Sequence, residues 1–216
     1  MSNKLSLRIH RVACIDETNG KYVEKIGNDE IYLGGYAVNE KGETVEIAPI
    51  SIYPHFDDGD VKVFNPAKIF YTFPLPASGE WPKGFGIGLV LMERDSGRDL
   101  TKAVNQITAF AKQKIAEEFA KEKKKREEKK KGLEAAVVLT PIVIMALKYA
   151  APYIIDYVGK KLISALNDDV FTPQLATIEI PSANFTWSGS KDSVEKIVSF
   201  RDHGGHYALT YDWLLN

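Results

Sequence analysis

The chain has 216 residues, of which 44% are hydrophobic and 11% aromatic, and its formal net charge is −1. This length and composition suffice for a sizeable buried core, and the near-neutral charge gives no global electrostatic basis for nucleic-acid binding. The single cysteine, Cys14, excludes an intrachain disulfide framework and a zinc site of the multi-cysteine kind. The first ten residues contain no apolar run of signal-peptide length, so we expect synthesis in the cytoplasm and any export to proceed without a cleaved signal.

The first hundred residues predict β structure. Leu5, Leu7 and Ile9 alternate with polar residues, which is the periodicity of a strand with one buried face. Turn-forming residues recur about every ten positions, and this spacing predicts an antiparallel β-sandwich. Further strands are predicted at residues 31–38, 44–52, 62–73 (interrupted by Asn65-Pro66) and 87–92, with a loop over residues 74–86.

The residues from Leu100 onward change to helical periodicity. Apolar side chains recur every three or four positions as far as Phe119 and predict one amphipathic helix. Residues 121–131 then form a polar helix end with eight basic and three acidic residues, a net +5 that leaves −6 for the rest of the chain. A second helical region covers residues 133–166, and Thr140-Pro141 is predicted to supply its N-cap and first helical residue.

The last predicted strand, residues 207–213, alternates again and is rich in Tyr and Trp, which is typical of a strand that completes a sheet. The sequence therefore predicts a mainly β protein, an antiparallel β-sandwich with an inserted α-helical hairpin. Residues 1–99 and 168–216 are assigned to the sandwich and residues 100–167 to the hairpin.

Three carboxylates follow the buried strand at residues 87–92, namely Glu93, Asp95 and Asp99. Three acids within seven residues repel one another, and a bound cation or several backbone N–H groups would offset this repulsion. Together with Asp16 and Asp29 in other loops, they are predicted to form a calcium site. The alternative is that they are solvated loop carboxylates, some of which cap the following helix.

The order of features in residues 5–100 supports a resemblance. Asp29-Glu30-Ile31-Tyr32-Leu33 opens a strand, Asn65-Pro66 precedes an aromatic-rich strand, and an apolar strand then runs into Glu93, Asp95 and Asp99. This order resembles the calcium-dependent lipid-binding domain of the protein kinase C and synaptotagmin type. The resemblance implies a β-sandwich, calcium at the acidic loops and lipid binding. The chain departs from the pattern at Glu30, which stands where the family has proline, at Glu93, where it has aspartate, and in its larger helical insertion.

Residues 135–147 are apolar apart from Thr140, but this run of 13 is shorter than the roughly 18–20 residues that span a bilayer. The basic run precedes it, and each Lys or Arg near an anionic membrane is worth about 1 kcal/mol. We therefore predict reversible association of the hairpin with an anionic membrane surface. The alternative is a helix packed on the first helix and the sandwich, with the basic residues paired to glutamates. The predicted contact residues are Lys123, Lys124, Lys125, Arg126, Ile142 and Ile144.

The chain contains no phosphate-binding loop, dinucleotide fingerprint or nucleophile elbow. The predicted function is a non-catalytic, calcium-responsive binding module with a membrane-interacting helical hairpin, of the bacterial toxin-like effector kind. The alternative is a structural or cargo protein, without metal, whose hairpin binds a protein partner or a second copy of the chain. A third hypothesis, an enzyme with an unrecognised site, requires a deep pocket lined by polar groups.

Overall fold

Eight strands and two α-helices make up the part of the chain that the computed structural model describes. That part comprises residues 2–18, 29–94, 100–131, 140–162 and 170–216, without the side chains of residues 29, 130, 131, 161 and 162. The strands are β1 (Lys4–Asp16), β2 (Asp29–Val38), β3 (Thr44–Phe56), β4 (Val61–Pro74), β5 (Lys83–Glu93), β6 (Gln174–Ile180), β7 (Lys196–Asp202) and β8 (Gly205–Leu215). The helices are α1 (Leu100–Lys131) and α2 (Ile142–Tyr157), and α2 continues as a π-helical turn, Val158–Leu162.

The strands form two antiparallel four-stranded sheets with the orders β4-β1-β8-β7 and β3-β2-β5-β6. Alternate side chains of β1, among them Leu5 and Leu7, face Phe85 and Ile87 of β5 in the core between the sheets. The prediction of a mainly β sandwich with an inserted helical hairpin is confirmed. β8 pairs with β1, as its Tyr and Trp content predicted, with Trp213 opposite Leu7.

Glycines on β5 let α2 lie directly on the sheet. A methyl group added at Gly84 would lie 2.7 Å from Cγ1 of Val143, and one added at Gly86 would lie 2.3 Å from Cδ1 of Leu147. The strand is buried along its whole length because the sandwich core covers one face and the helices cover the other. The predicted loop over residues 74–86 is therefore wrong at its end. β5 begins at Lys83, since these glycines provide close packing and form no turn.

Two local predictions also need correction. Asn65-Pro66 does not interrupt the fourth strand, because β4 runs through it and absorbs it as a shift of register against β1. Pro141 is the N-cap of α2, not its first helical residue, and no side chain caps this end. The Thr140 carbonyl instead accepts a hydrogen bond from Arg126 on α1.

The hairpin covers the outer face of one sheet only. α1 packs on β2 and β3, and α2 packs on β5 and β6. Its apolar stripe, which includes Val104 and Ile107 of α1 and Leu147 of α2, forms a second hydrophobic core against the sheet. The rings of Phe110 and Tyr157 stack with their centroids 4.1 Å apart and join the two helices. The outer face of the sheet β4-β1-β8-β7 has no helix on it among the described residues.

Candidate functional site

Two of the predicted calcium ligands lie at one end of the sandwich. Asp16 is the last residue of β1, is exposed and pairs in register with His206 of β8. Glu93 is the last residue of β5, is only 6% exposed and accepts a hydrogen bond from the Thr18 hydroxyl. Because Thr18 is only two residues beyond the end of β1, this bond brings the ends of β1 and β5 together.

The remaining predicted ligands cannot be placed in this way. Asp95 and Asp99 lie outside the described residues, and Asp29 begins β2 with its side chain also outside them. Among the side chains that the structure describes, no group of three or more His, Cys, Asp or Glu could hold a metal ion. The two carboxylates of Asp16 and Glu93 provide at most four oxygens, whereas calcium takes about six to eight. The calcium site therefore stays a prediction.

An arginine occupies the same end of the sandwich. Arg94 follows Glu93 directly and forms an ion pair with Glu30 of β2. Its guanidinium also lies 5.0 Å from the ring centroid of Tyr32, which is a cation–π contact. This arginine fixes the end of β5 to β2 and adds a positive charge beside the predicted acidic cluster.

His206 lies beside Asp16 at this end. Its Nε2 atom is 2.9 Å from Oγ of Ser199 and accepts a hydrogen bond from Nε of Arg201 at 3.2 Å. Burial lowers the pKa of the imidazole, the Arg201 charge lowers it further, and Asp16 opposes the shift. The arrangement therefore favours neutral His206 in the folded protein.

The predicted basic contact residues on α1 divide into two pairs. The Nζ atom of Lys125 lies 2.5 Å from Oε1 of Glu122 and 5.5 Å from the ring centroid of Tyr149 on α2. Arg126 donates to the Thr140 carbonyl, so both side chains join α1 to α2. Lys123 and Lys124 are exposed, and Lys124 has only a distant pairing, 4.0 Å, with Glu128. Of the four predicted residues, Lys123 and Lys124 therefore form the free basic surface.

The predicted apolar contact residues do not form the most exposed part of α2. Ile142 and Ile144 are half-buried, and Ile144 borders Gly84 of the sheet. The exposed apolar surface of α2 comes from Tyr149, Tyr153 and Ile155, with exposed fractions of 41%, 55% and 41%. Tyr149 and Tyr153 lie one turn apart on the side of α2 next to α1, and we call these two residues the tyrosine face; Ile155 lies on the other side of the open surface. The sequence places them on a common helix, but only the packing of α2 on β5 shows which side remains open.

Lysines of α1 border the tyrosine face. Nζ of Lys114 lies 5.7 Å from the ring centroid of Tyr153, and Lys125 holds the corresponding position over Tyr149. Both lysines also pair with glutamates of α1, Lys114 with Glu117 at 2.8 Å. The result is a surface in which aromatic rings alternate with cationic side chains.

The segment Ile142–Lys160 is a helix long and apolar enough, by length and composition, to cross a membrane. One third of it, 33%, is buried against the rest of the protein. It also carries the charged and exposed side chains of Lys148 and Asp156 on its open side. The core helix of a soluble protein passes the same test. Length and composition therefore do not distinguish a membrane-spanning helix from a packed one.

The fold and this surface define a class of protein: a two-sheet antiparallel β-sandwich with a helical hairpin laid on one sheet and an aromatic surface on its second helix. The chain matches no protein-family model, no curated protein and no solved structure.

Proposed function

We propose that this protein is a non-catalytic module that binds anionic membrane surfaces reversibly through the tyrosine face, with calcium at the acidic end of the sandwich modulating the interaction. The observation that carries the proposal is the exposure of Tyr149 and Tyr153 on a helix whose opposite side is buried against the sheet. Tyrosine favours the headgroup region of a bilayer, where its ring is partly buried and its hydroxyl stays hydrated. Neighbouring lysines can extend their charges to the phosphates while their methylenes cover apolar surface.

The packing of α2 supports binding at the membrane surface and opposes release of the hairpin into lipid. Val143, Leu147 and Ile154 are buried against the sheet. Release of the helices into lipid would expose to water the apolar sheet side chains beneath them, such as Val38, Val90 and Met92, at about 1.5–3 kcal/mol each, and the glycines of β5 fit the helix closely. The helix would therefore lie parallel to the membrane plane with the sandwich behind it, as interfacial amphipathic helices do.

The charge distribution supports an anionic surface. Lys123 and Lys124 are exposed on the part of α1 that runs beside the tyrosine face. At about 1 kcal/mol per residue near anionic lipid, this pair contributes roughly 2 kcal/mol, and salt should weaken the contribution. Lys125 and Arg126 contribute less freely, because they already hold the hairpin together.

Support for calcium comes from the resemblance to calcium-dependent lipid-binding domains and from the position of Asp16 and Glu93 at one end of the sandwich. Calcium would offset the repulsion among the acids there. Calcium would then affect membrane binding if the acidic end of the sandwich and the tyrosine face contact the lipid at the same time.

The test is cosedimentation with vesicles of phosphatidylcholine alone and with added phosphatidylserine, each in calcium and in chelator. Lys123→Gln with Lys124→Gln should weaken binding to anionic vesicles about tenfold or more. The melting temperature of this double variant should stay unchanged, because no contact between α1 and α2 involves either lysine among the described residues. The matched control is Lys62→Gln with Lys68→Gln, which removes the same charge from β4.

Equal weakening by the control pair would mean that overall charge, not this surface, governs binding. A wild-type protein that binds neither vesicle in either condition would contradict the proposal. That result would favour the alternative function, a structural or cargo protein whose hairpin contacts another protein.

A further inference from the structure

A β-bulge in β1 sets His10 apart from its neighbours. Ile9 pairs with Tyr211 of β8 and Arg11 pairs with Thr210, so that His10 is an extra residue between the two pairs. A bulge of this kind turns a side chain out of the regular alternation of a strand. The imidazole of His10 lies on the outer face of the sheet, away from the core that Ile9 enters.

This imidazole lies between carboxylates from two different parts of the chain. Its Nε2 atom is 3.1 Å from Oδ1 of Asp212 on β8, and its Nδ1 atom is 3.5 Å from Oε1 of Glu195, which precedes β7. Asp212 is only 2% exposed and also accepts a hydrogen bond from Nε of Arg8 at 2.9 Å. Arg8 pairs in addition with Asp192 at 2.7 Å. While His10 is neutral, these three negative charges and one positive charge leave the cluster at −2.

The attraction between His10 and the two carboxylates depends on the charge of its ring. The Nε2 atom is buried and is not aligned for a hydrogen bond with Asp212, so the contact is an ion pair only when the imidazole is protonated. The same holds for Nδ1 and Glu195 at their longer distance. A proton on the ring places a second positive charge beside both carboxylates, and such a charge favours the charged form of each partner.

The other basic side chains around His10 do not neutralise the cluster. Arg11 follows it on β1 and donates from Nε to a threonine hydroxyl of β8 at 3.1 Å. Lys68 of β4 has its Nζ atom 5.7 Å from the ring centroid of Phe64, and Lys196 of β7 is exposed. Among the described residues, none of these three basic side chains forms an ion pair with a carboxylate of the cluster. The proton on His10 is therefore the only variable positive charge in this cluster as described.

Residues 191–195, which we call the acidic segment, lead into β7 and carry two of the three carboxylates. Their backbone extends the sheet past β7, because the Ser193 amide donates to the Trp213 carbonyl at 2.8 Å and the Leu215 amide to the Lys191 carbonyl at 2.9 Å. The residues of the segment are exposed or half-buried. Backbone hydrogen bonds and the contacts of its acidic side chains with β1 therefore hold the segment in place.

We propose that His10 makes the attachment of the acidic segment to the sandwich dependent on pH. The protonated ring joins β1 both to Asp212 of β8 and to Glu195 of the segment. As the pH rises and the proton leaves, Glu195 loses this partner and Arg8 alone holds the segment from β1. The attachment is therefore strongest in acid and weakens through the range in which an ordinary imidazole titrates. The segment covers the edge of β8 at residues 213–215, so its release exposes backbone groups that can pair with another strand.

Amide hydrogen exchange, followed by NMR on the full chain, tests the proposal. The amides of Ser193 and Leu215 join the segment to β8. Relative to the amides of β5, and after correction for intrinsic exchange rates, their protection should be about threefold or more higher at pH 5 than at pH 7.5. His10→Gln should abolish this difference, because glutamine does not take up a proton. Glu195→Gln, at a side chain that is 53% exposed, should reduce it.

The matched control is His206→Gln, which removes another histidine of β8 and leaves the cluster intact. Neutral His206 is favoured in the folded protein, so its contribution to stability has the opposite pH dependence, and this variant should keep the difference at Ser193 and Leu215. Thermal melting at pH 7.5 checks that every variant is folded. Equal protection at the two pH values, or a change of the same size in the amides of β5, overturns the proposal. A His10→Gln protein that keeps the wild-type difference, or a His206→Gln protein that loses it, overturns the proposal as well.

Discussion

The contact between β5 and α2 predicts a measurable cost for a single methyl group. In Gly84→Ala the added Cβ would lie 2.7 Å from Cβ of Pro141, 2.7 Å from Cγ1 of Val143 and 2.9 Å from Cγ1 of Ile144. Three side chains of the first turn of α2 would have to move, and such overpacking typically costs about 1–3 kcal/mol. Alanine recovers roughly 0.5–1 kcal/mol, because glycine is disfavoured inside strands. The expected net loss is about 1–2 kcal/mol, equivalent to a fall in melting temperature of roughly 2–8 °C for a chain of this size.

Two further variants make the assay specific. Gly159→Ala adds a methyl group with no atom within 4 Å, so it should leave the melting temperature unchanged or raise it slightly. Val143→Ala should destabilise the wild type, but less so in the Gly84→Ala background, where it removes one of the clashes. Contacting residues of this kind couple by about 0.5–3 kcal/mol. A Gly84→Ala protein as stable as the wild type, with additive effects in the double variant, would refute this packing of α2 on β5.

The remaining predictions concern ions and pH. If the predicted site binds calcium, calcium at about 100 times its dissociation constant should stabilise the fold by roughly 2.7 kcal/mol in thermal melting, and Asp95→Asn should abolish this gain. A melting curve that is identical in chelator and in millimolar calcium rules this out. Burial, and then the charge of Arg201, lower the pKa of His206. As the pH falls, the imidazole of the unfolded chain is therefore protonated at a higher pH than the imidazole of the folded protein. The stability from neutral His206 is thus complete above its unfolded pKa of about 6.5 and declines as pH falls, so His206→Gln should flatten the loss of stability between roughly pH 7 and 5. An unchanged pH slope in that variant would contradict the assignment.

The sequence predicted the architecture because its periodicities are local. Alternation at Leu5, Leu7 and Ile9 gave β1, and helical spacing from Leu100 gave α1, and both elements are present. The start of β5 is not predicted, because Gly84 and Gly86 are residue types typical of loops. Their alternation with Phe85 and Ile87 was the available signal, since glycine at every second position of a strand allows another element to approach closely.

The candidate surface was harder to predict, because it depends on which side of α2 meets the sheet. The apolar run of α2 pointed to Ile142 and Ile144, yet both are half-buried, while Tyr153 further along the helix is exposed. Likewise, the sequence alone does not distinguish the roles of the four consecutive basic residues of α1, Lys123, Lys124, Lys125 and Arg126. Only the contacts of Lys125 with Tyr149 and of Arg126 with Thr140 separate the structural pair from the free pair. Tertiary contacts of this kind leave no periodic trace in the sequence.

The central claim, that the tyrosine face enters the membrane interface, is tested most directly by a fluorophore placed within it. Tyr153→Trp puts an indole at the most exposed aromatic position of α2, and the wild type with its three tryptophans supplies the baseline. In anionic vesicles that contain brominated lipid, the account predicts quenching of the variant well beyond that of the wild type, because the indole would lie among the upper acyl chains. Equal quenching of the two proteins, with both bound to the vesicles, would show that another surface contacts the membrane and would contradict the account.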